Sequence, residues 1–238
     1  EINIQGTKNI LEASVSYGIN KIVFASSSEV YGEPLKNPIT EKDVTQGKTV
    51  YATSKIAGEE LTKAYHENFK NLNFTILRYF NTYGPNQVAQ FVIPKFINNI
   101  MNDKSPEVYG NGSQLRGYTF SKDTGIATVD SLVSQKTDGT VLNIGNSDNF
   151  IDLISLANLI IRICKKENQI KVKVLNNFKN SDRDQKREIF ERYCSTELAK
   201  NLINYSPKTS LEDGIKEIIN NGPIQLEWAT SEKKYSIN

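Results

Sequence analysis

The chain has 238 residues, with 29 Lys+Arg against 27 Asp+Glu, one His and two Cys. That length buries a sizeable core as one large or two small domains, and the near balance of charge leaves no basic patch for nucleic acid. The longest apolar runs fall far short of a membrane span, no signal peptide is visible, and Cys164 and Cys194 lack a metal spacing and suit a reducing cytoplasm.

The chain opens inside a helical pattern. Ile4, Ile10, Leu11 and Ala13 keep helical apolar spacing up to Gly18, which predicts a helix over 4–17. The run Ile22-Val23-Phe24-Ala25 predicts a strand over 21–27, followed by a loop holding Gly32, Pro34 and Pro38. A helix over 51–69 and a strand over 73–80 follow. His66 lies on that helix and is read as a surface residue; alone it makes no zinc site. Strands alternating with helices predict a parallel, doubly wound sheet.

After Pro85 the pattern changes. Pro94 opens a helix reaching about Asn102. Short strands are predicted at 107–109 and 116–120, then a helix from 122 to 133 and a strand at 141–144. The helix over 152–165 carries Leu153, Leu156, Ala157, Ile160, Ile161 and Cys164 on a broad apolar face. A half-buried strand at 171–174 precedes a polar stretch, 176–193, read as a loop over the substrate. Helices at 196–203 and 210–220 close the fold, and the tail 223–238 shows no pattern.

Tyr51 and Lys55 stand four apart in Tyr-Ala-Thr-Ser-Lys, so a helix points both to one face. An ammonium beside a phenol favours the phenolate. The run Ser26-Ser27-Ser28 ends the preceding strand and supplies a hydroxyl. Together these make a proton-transfer device suited to oxidising and reducing a sugar alcohol with a nicotinamide cofactor.

Six segments extend this pattern along the chain. They are Phe24-Ala25-Ser26-Ser27-Ser28-Glu29-Val30-Tyr31-Gly32, Tyr51–Lys55, Arg78-Tyr79-Phe80-Asn81-Thr82-Tyr83-Gly84-Pro85, the stretch from Val108 to Arg116, Leu142-Asn143-Ile144-Gly145, and Pro207–Gly214. In this order and spacing they resemble the extended short-chain dehydrogenase/reductase family of NAD-dependent nucleotide-sugar epimerases, dehydratases and decarboxylases.

The resemblance implies a Rossmann-like α/β fold: a doubly wound parallel sheet lacking its N-terminal strands, with a smaller α+β substrate domain. The nucleotide half falls at 1–85 plus 122–145, and the substrate half at 86–121 plus 146–238. Before the first helix the family has a glycine-rich phosphate loop, which no segment here reproduces; Gly110-Asn111-Gly112 is not placed between a strand and a helix. The chain therefore reads as incomplete, inactive alone, and short of about 80 residues, two to three units of about 30 each.

The resemblance also assigns roles. Tyr51 is the acid/base and Lys55 holds the nicotinamide ribose, Ser27 relays the proton, and Ser26 and Phe80 line the NAD site. Glu29 orients the sugar ring. Dehydratases of the family carry Thr-Asp-Glu where this chain has Ser27-Ser28-Glu29, which counts against dehydration. Asn81 and Arg116 face the nucleotide diphosphate, since a guanidinium fork suits phosphate oxygens. Arg183, Arg187, Glu188 and Arg192 resemble the stretch that grips phosphate and ribose, although Arg187 replaces the usual Gly. The expected protein is a cytoplasmic epimerase of UDP-linked sugars, homodimeric when full-length. UDP-glucuronate decarboxylase is the alternative enzyme, and an inactive binding or assembly piece the alternative of another class.

Overall fold

The computed structural model describes residues 1–175, 189 and 191–222. They fall into two compact units. The first comprises Glu1–Thr82, Leu115–Phe150 and the described residues within Arg187–Thr209. It thus takes in 115–121, 146–150 and part of the stretch after 186, which the sequence reading gave to the substrate half.

The first unit is built on three parallel strands in the order β1 (Lys21–Ser27), β2 (Asn73–Tyr79) and β7 (Thr140–Ile144). Side chains alternate across a strand, so each register row belongs to one face. One face carries Leu77, Leu142 and Ile144, with Val23 and Tyr79 beside them. It packs on Ala127 of α4 (Ser121–Val133) and on Ala199 and Ile203 of α6 (Glu197–Ile203). The other face carries Phe24 and Ile76 and meets α2 (Val50–Asn68). Helices on both faces make the sheet doubly wound.

Helix α2 starts where Thr49 takes an extended conformation and its hydroxyl accepts from Ala52 N–H at 3.0 Å, a cap worth about 1 kcal/mol. It can lie close on β1 because residue 58 is glycine. A Cβ there would sit 2.4 Å from Cζ of Phe24. His66, expected at the surface, is half-buried: Nδ1 is 2.8 Å from the Leu72 carbonyl, and the ring meets Phe74 edge-on at 5.4 Å.

Some local structure departs from the pattern. The opening helix is two pieces, a π-turn over Ile2–Gly6 and then α1 (Thr7–Ser16). The strand expected at 116–120 splits into β5 (Leu115–Gly117) and β6 (Thr119–Phe120). Tyr118 between them donates its N–H to Asn149 O at 3.1 Å. The stretch read as a loop to 193 contains β10 (Glu191–Arg192), which pairs in parallel with β5, Arg192 opposite Arg116. Two charged residues carry no strand signal, so this pairing rests on the backbone ladder and its neighbours.

The second unit comprises Tyr83–Gln114, the described residues within Ile151–Lys186, and those within Ser210–Asn238. It holds α3 (Val92–Met101), α5 (Leu153–Ile163) and α7 (Leu211–Asn220), with α5 in contact with both others. A parallel pair, β4 (Glu107–Tyr109) with β9 (Lys173–Leu175), joins them. Asp152 caps α5 by accepting from Ser155 N–H at 2.8 Å, and Ser210 caps α7 through Asp213 N–H at 3.1 Å. No helix among the described residues is long and apolar enough to cross a membrane.

Candidate active site

The residues gather at the carboxyl end of β1, in the first unit. Ser27 is the last residue of β1, and its Oγ accepts from Glu29 N–H at 3.2 Å, capping a 3₁₀ turn over Ser28–Tyr31. A hydroxyl that accepts keeps its own proton to donate. On α2, Tyr51 is 48% exposed, so its phenol is open to a ligand. Lys55, one turn on, has its Nζ 5.8 Å from the centre of the Tyr51 ring and donates to Ala25 O at 2.9 Å. That bond ties the ammonium to the strand two residues before Ser27. Burial holds the Lys55 pKa below the ordinary value, because a low-dielectric setting disfavours the cation.

Ser26 is buried and its hydroxyl donates to Glu59 of α2 at 2.5 Å. Phe80 is also buried, in a cluster with Val30, Tyr31, Ile39 and Cys194. Its backbone N–H donates to Ile144 O at 2.9 Å, and its carbonyl accepts from Thr119 Oγ1 at 3.1 Å. Asn81 follows with φ 34°, a conformation Asn tolerates better than most residues, and its Nδ2 lies 3.4 Å from Gly117 O. Arg116 donates to its own neighbour Leu115 O at 2.8 Å and to Ile189 O. Arg183, Arg187 and Glu188 lie outside the described residues.

Glu29 meets a partner from far along the chain. Arg192 Nη2 donates to its Oε1 at 2.6 Å, and the Arg192 side chain is only 7% exposed. Nε and Nη1 of Arg192 are buried with no hydrogen-bond partner among the described residues. A buried guanidinium with two unused donors is costly unless an acceptor reaches it.

Beneath the site lies a polar network of which Ser26 alone carried an assigned role in the sequence. Ser26, Arg78 and Asn143 are register partners across β1, β2 and β7. Arg78 Nε and Nη2 grip both oxygens of Glu59 at 2.9 and 2.7 Å. Its Nη1 donates to Tyr31 OH at 2.9 Å, and Tyr31 donates to Asn143 Oδ1 at 2.7 Å. Burial pushes the Tyr31 phenol up to about 12 despite the lowering effect of Arg78, which keeps it a donor. One signal was present: Glu59 falls eight residues after Tyr51, on the stripe that holds Lys55.

Residues 1–218 match the family described as GDP-mannose 4,6 dehydratase. A UDP-N-acetyl-alpha-D-glucosaminuronate decarboxylase of Bacillus cytotoxicus is 33% identical over 227 residues, 92% of this chain and 68% of that protein. A UDP-glucuronate 4-epimerase of Thermodesulfobacterium geofontis is 29% identical, over 97% of this chain and 68% of the relative. The crystal structure of the UDP-glucuronic acid 4-epimerase of Bacillus cereus, in complex with UDP-glucuronic acid and NAD, superposes with a TM-score of 0.81 at 28% identity, covering 92% of this chain and 68% of that one. This chain belongs to the NAD-dependent epimerase/dehydratase family of extended short-chain dehydrogenases/reductases.

Proposed function

We propose that the protein is an NAD-dependent nucleotide-sugar epimerase, similar to UDP-hexose 4-epimerases, acting through transient oxidation of a sugar hydroxyl to a keto-sugar. The observation that carries this reading is the shared face of Tyr51 and Lys55, tied to the end of β1 by the Lys55–Ala25 bond. The donor set fits a nicotinamide nucleoside: an open phenol beside an ammonium can hold ribose hydroxyls. Tyr51 and Lys55 would hold that ribose, with Ser26 and Phe80 as the floor beneath it. NAD, when bound, supplies the hydride acceptor and donor.

The chain's own part is proton transfer and positioning. Tyr51 takes the proton from the sugar hydroxyl and returns it after the ring has turned. Lys55 stabilises the phenolate form in which Tyr51 takes that proton, becoming the neutral phenol, and Ser27 holds the same sugar oxygen by a hydrogen bond. Asn81 and Arg116 are placed here as the diphosphate contacts, with Arg183, Arg187 and Glu188 completing the nucleotide grip, and the full-length protein as a cytoplasmic homodimer. The test is NMR analysis of products from UDP-glucose, UDP-N-acetylglucosamine and UDP-glucuronate with the full-length protein. A C4 epimer is expected; no product from any of the three sinks the reading.

The second reading, UDP-glucuronate decarboxylation, begins with the same oxidation and ends with loss of carbon dioxide. The Glu29–Arg192 pair favours it. Two unused guanidinium donors beside the serine run would suit a sugar carboxylate. A pentose product in the same NMR experiment selects this reading.

A further inference from the structure

We infer that Glu59 is a positioning residue for the reaction proposed above, clamping the helix that carries Tyr51 and Lys55 to the strand that ends in Ser27. The inference rests on that proposed function. Tyr51, Lys55 and Glu59 follow each other at intervals of four, so they occupy one stripe of α2. The first two are turned to the open end of the site. Glu59, 1% exposed, is turned into the sheet.

Its carboxylate is shared between two strands. Oε1 accepts from Ser26 of β1 at 2.5 Å and from Arg78 Nε of β2 at 2.9 Å; Oε2 accepts from Arg78 Nη2 at 2.7 Å. Ser26 and Arg78 stand opposite each other in the register. A single side chain thus fixes the height and slide of α2 over two neighbouring strands at once. Ser26 adjoins Ser27, so the proton relay and the acid/base are referenced to one carboxylate. Two further contacts hold the same alignment: Lys55 on Ala25 O, and the close approach of Gly58 to Phe24. The network continues from Arg78 to Tyr31 and Asn143, which anchors the clamp to β7.

A merely structural ion pair and a positioning clamp differ in what they move. The test is Glu59→Asp in the full-length protein, which keeps the charge but shortens the reach by one methylene. Thr62→Ala is the control. Thr62 is buried on the same helix and, among the described residues, its hydroxyl bonds within that helix, to Gly58 O at 2.8 Å. The clamp predicts that folded Glu59→Asp loses about a hundredfold in kcat, the scale of an ångström-level misplacement, with KM and cofactor affinity little changed. Thr62→Ala keeps kcat. Unchanged kcat in Glu59→Asp, or equal losses in both variants, overturns the inference.

Should Glu59→Asp fail to fold, Arg78→Lys, which breaks the two-point grip and keeps the cation, replaces it with the same expected result. Hydrogen exchange supplies a readout free of turnover. Amides of Tyr51–Lys55 are expected to exchange faster in the clamp variant and not in Thr62→Ala; unchanged exchange overturns the clamp. A wild-type protein without activity on any nucleotide sugar overturns the proposed function, and the exchange result still decides the clamp.

Discussion

Arg192 and Glu29 stand 163 residues apart in the chain and meet at 2.6 Å. The pair forms because β10 lies beside β5 and delivers Arg192 to the first turn after the serine run. The Arg192 side chain is buried while Glu29 is about a third exposed, so the guanidinium carries a desolvation cost, and among the described residues its Nε and Nη1 have no hydrogen-bond partner. Under the decarboxylase reading proposed above, these donors would face a sugar carboxylate.

Arg192→Gln is therefore expected to discriminate among substrates. A charge-assisted hydrogen bond to a carboxylate is worth about 1.5–3 kcal/mol, so kcat/KM for UDP-glucuronate should fall by roughly ten- to a hundredfold. UDP-glucose, which has no carboxylate, should be turned over with little change. Steady-state kinetics on both sugars checks this. An equal fall on the two would assign Arg192 to the fold.

Tyr51→Phe should leave the fold intact, because the side chain is half-exposed and the ring remains. Removing a positioned acid/base costs about 10²–10⁴-fold in turnover. Cofactor affinity, measured by calorimetry on the full-length protein, is expected to fall far less than turnover, because Lys55 still holds the ribose. Near-normal kcat in this variant removes Tyr51 from the mechanism.

Gly58→Ala tests the close approach of α2 to β1. On helix propensity alone, alanine should stabilise α2 by about 1 kcal/mol. The new methyl, however, would sit 2.4 Å from the Phe24 ring, and overpacking of this kind costs about 1–3 kcal/mol. The net expectation is a lower urea midpoint with an unchanged slope. Adding Phe24→Leu should recover part of the loss. A Gly58→Ala variant more stable than wild type would show that α2 is not held against Phe24.

The sheet and its helices were legible because their signals are local. Ile22-Val23-Phe24-Ala25 is an apolar run of strand length and forms half-buried β1, and Tyr51 and Lys55 share a face at four-residue spacing. The clamp under them left one trace, the place of Glu59 on the same stripe, and its partners were not legible. Arg78 lies in a strand and Glu59 in a helix 19 residues earlier, and a charged residue in either reads as solvated. Only the register of β1 on β2 brings Ser26, Arg78 and Glu59 together. The same holds for Glu29 and Arg192, whose meeting depends on a two-residue strand with no pattern of its own. Arg116 was read as a phosphate ligand from its type and its motif; in the structure its fork donates to the carbonyls of Leu115 and Ile189, among other contacts. Sequence carries the identity of a donor and not its direction.

Glu41 gives the fold a pH dependence opposite in sign to that of a typical salt-bridged acid. Its Oε1 accepts from Asn143 N–H at 2.8 Å, and its own carbonyl lies 3.4 Å from Arg78 Nη1, at the edge of the buried network. Burial raises its pKa above the ordinary 4.5, and the bond from Asn143 N–H only partly offsets this. The folded protein therefore holds this proton more tightly than the unfolded chain. Stability rises with pH only where the unfolded state binds more protons; here the native state binds more. The Glu41 contribution is thus greatest below 4.5 and is lost as pH rises through the folded value. Glu41→Gln keeps the acceptor for Asn143 and cannot titrate. The stability of the variant minus that of wild type is expected to grow from acid to neutral pH and then level off. Taking the difference cancels Glu107 and Asp152, whose lowered values act in the opposite direction; Asp43 faces Glu41 and is part of what raises it. Urea titrations of both proteins across that range measure it. A flat difference, or one that shrinks toward neutral pH, would show that the Glu41 carboxyl is not raised in the folded protein.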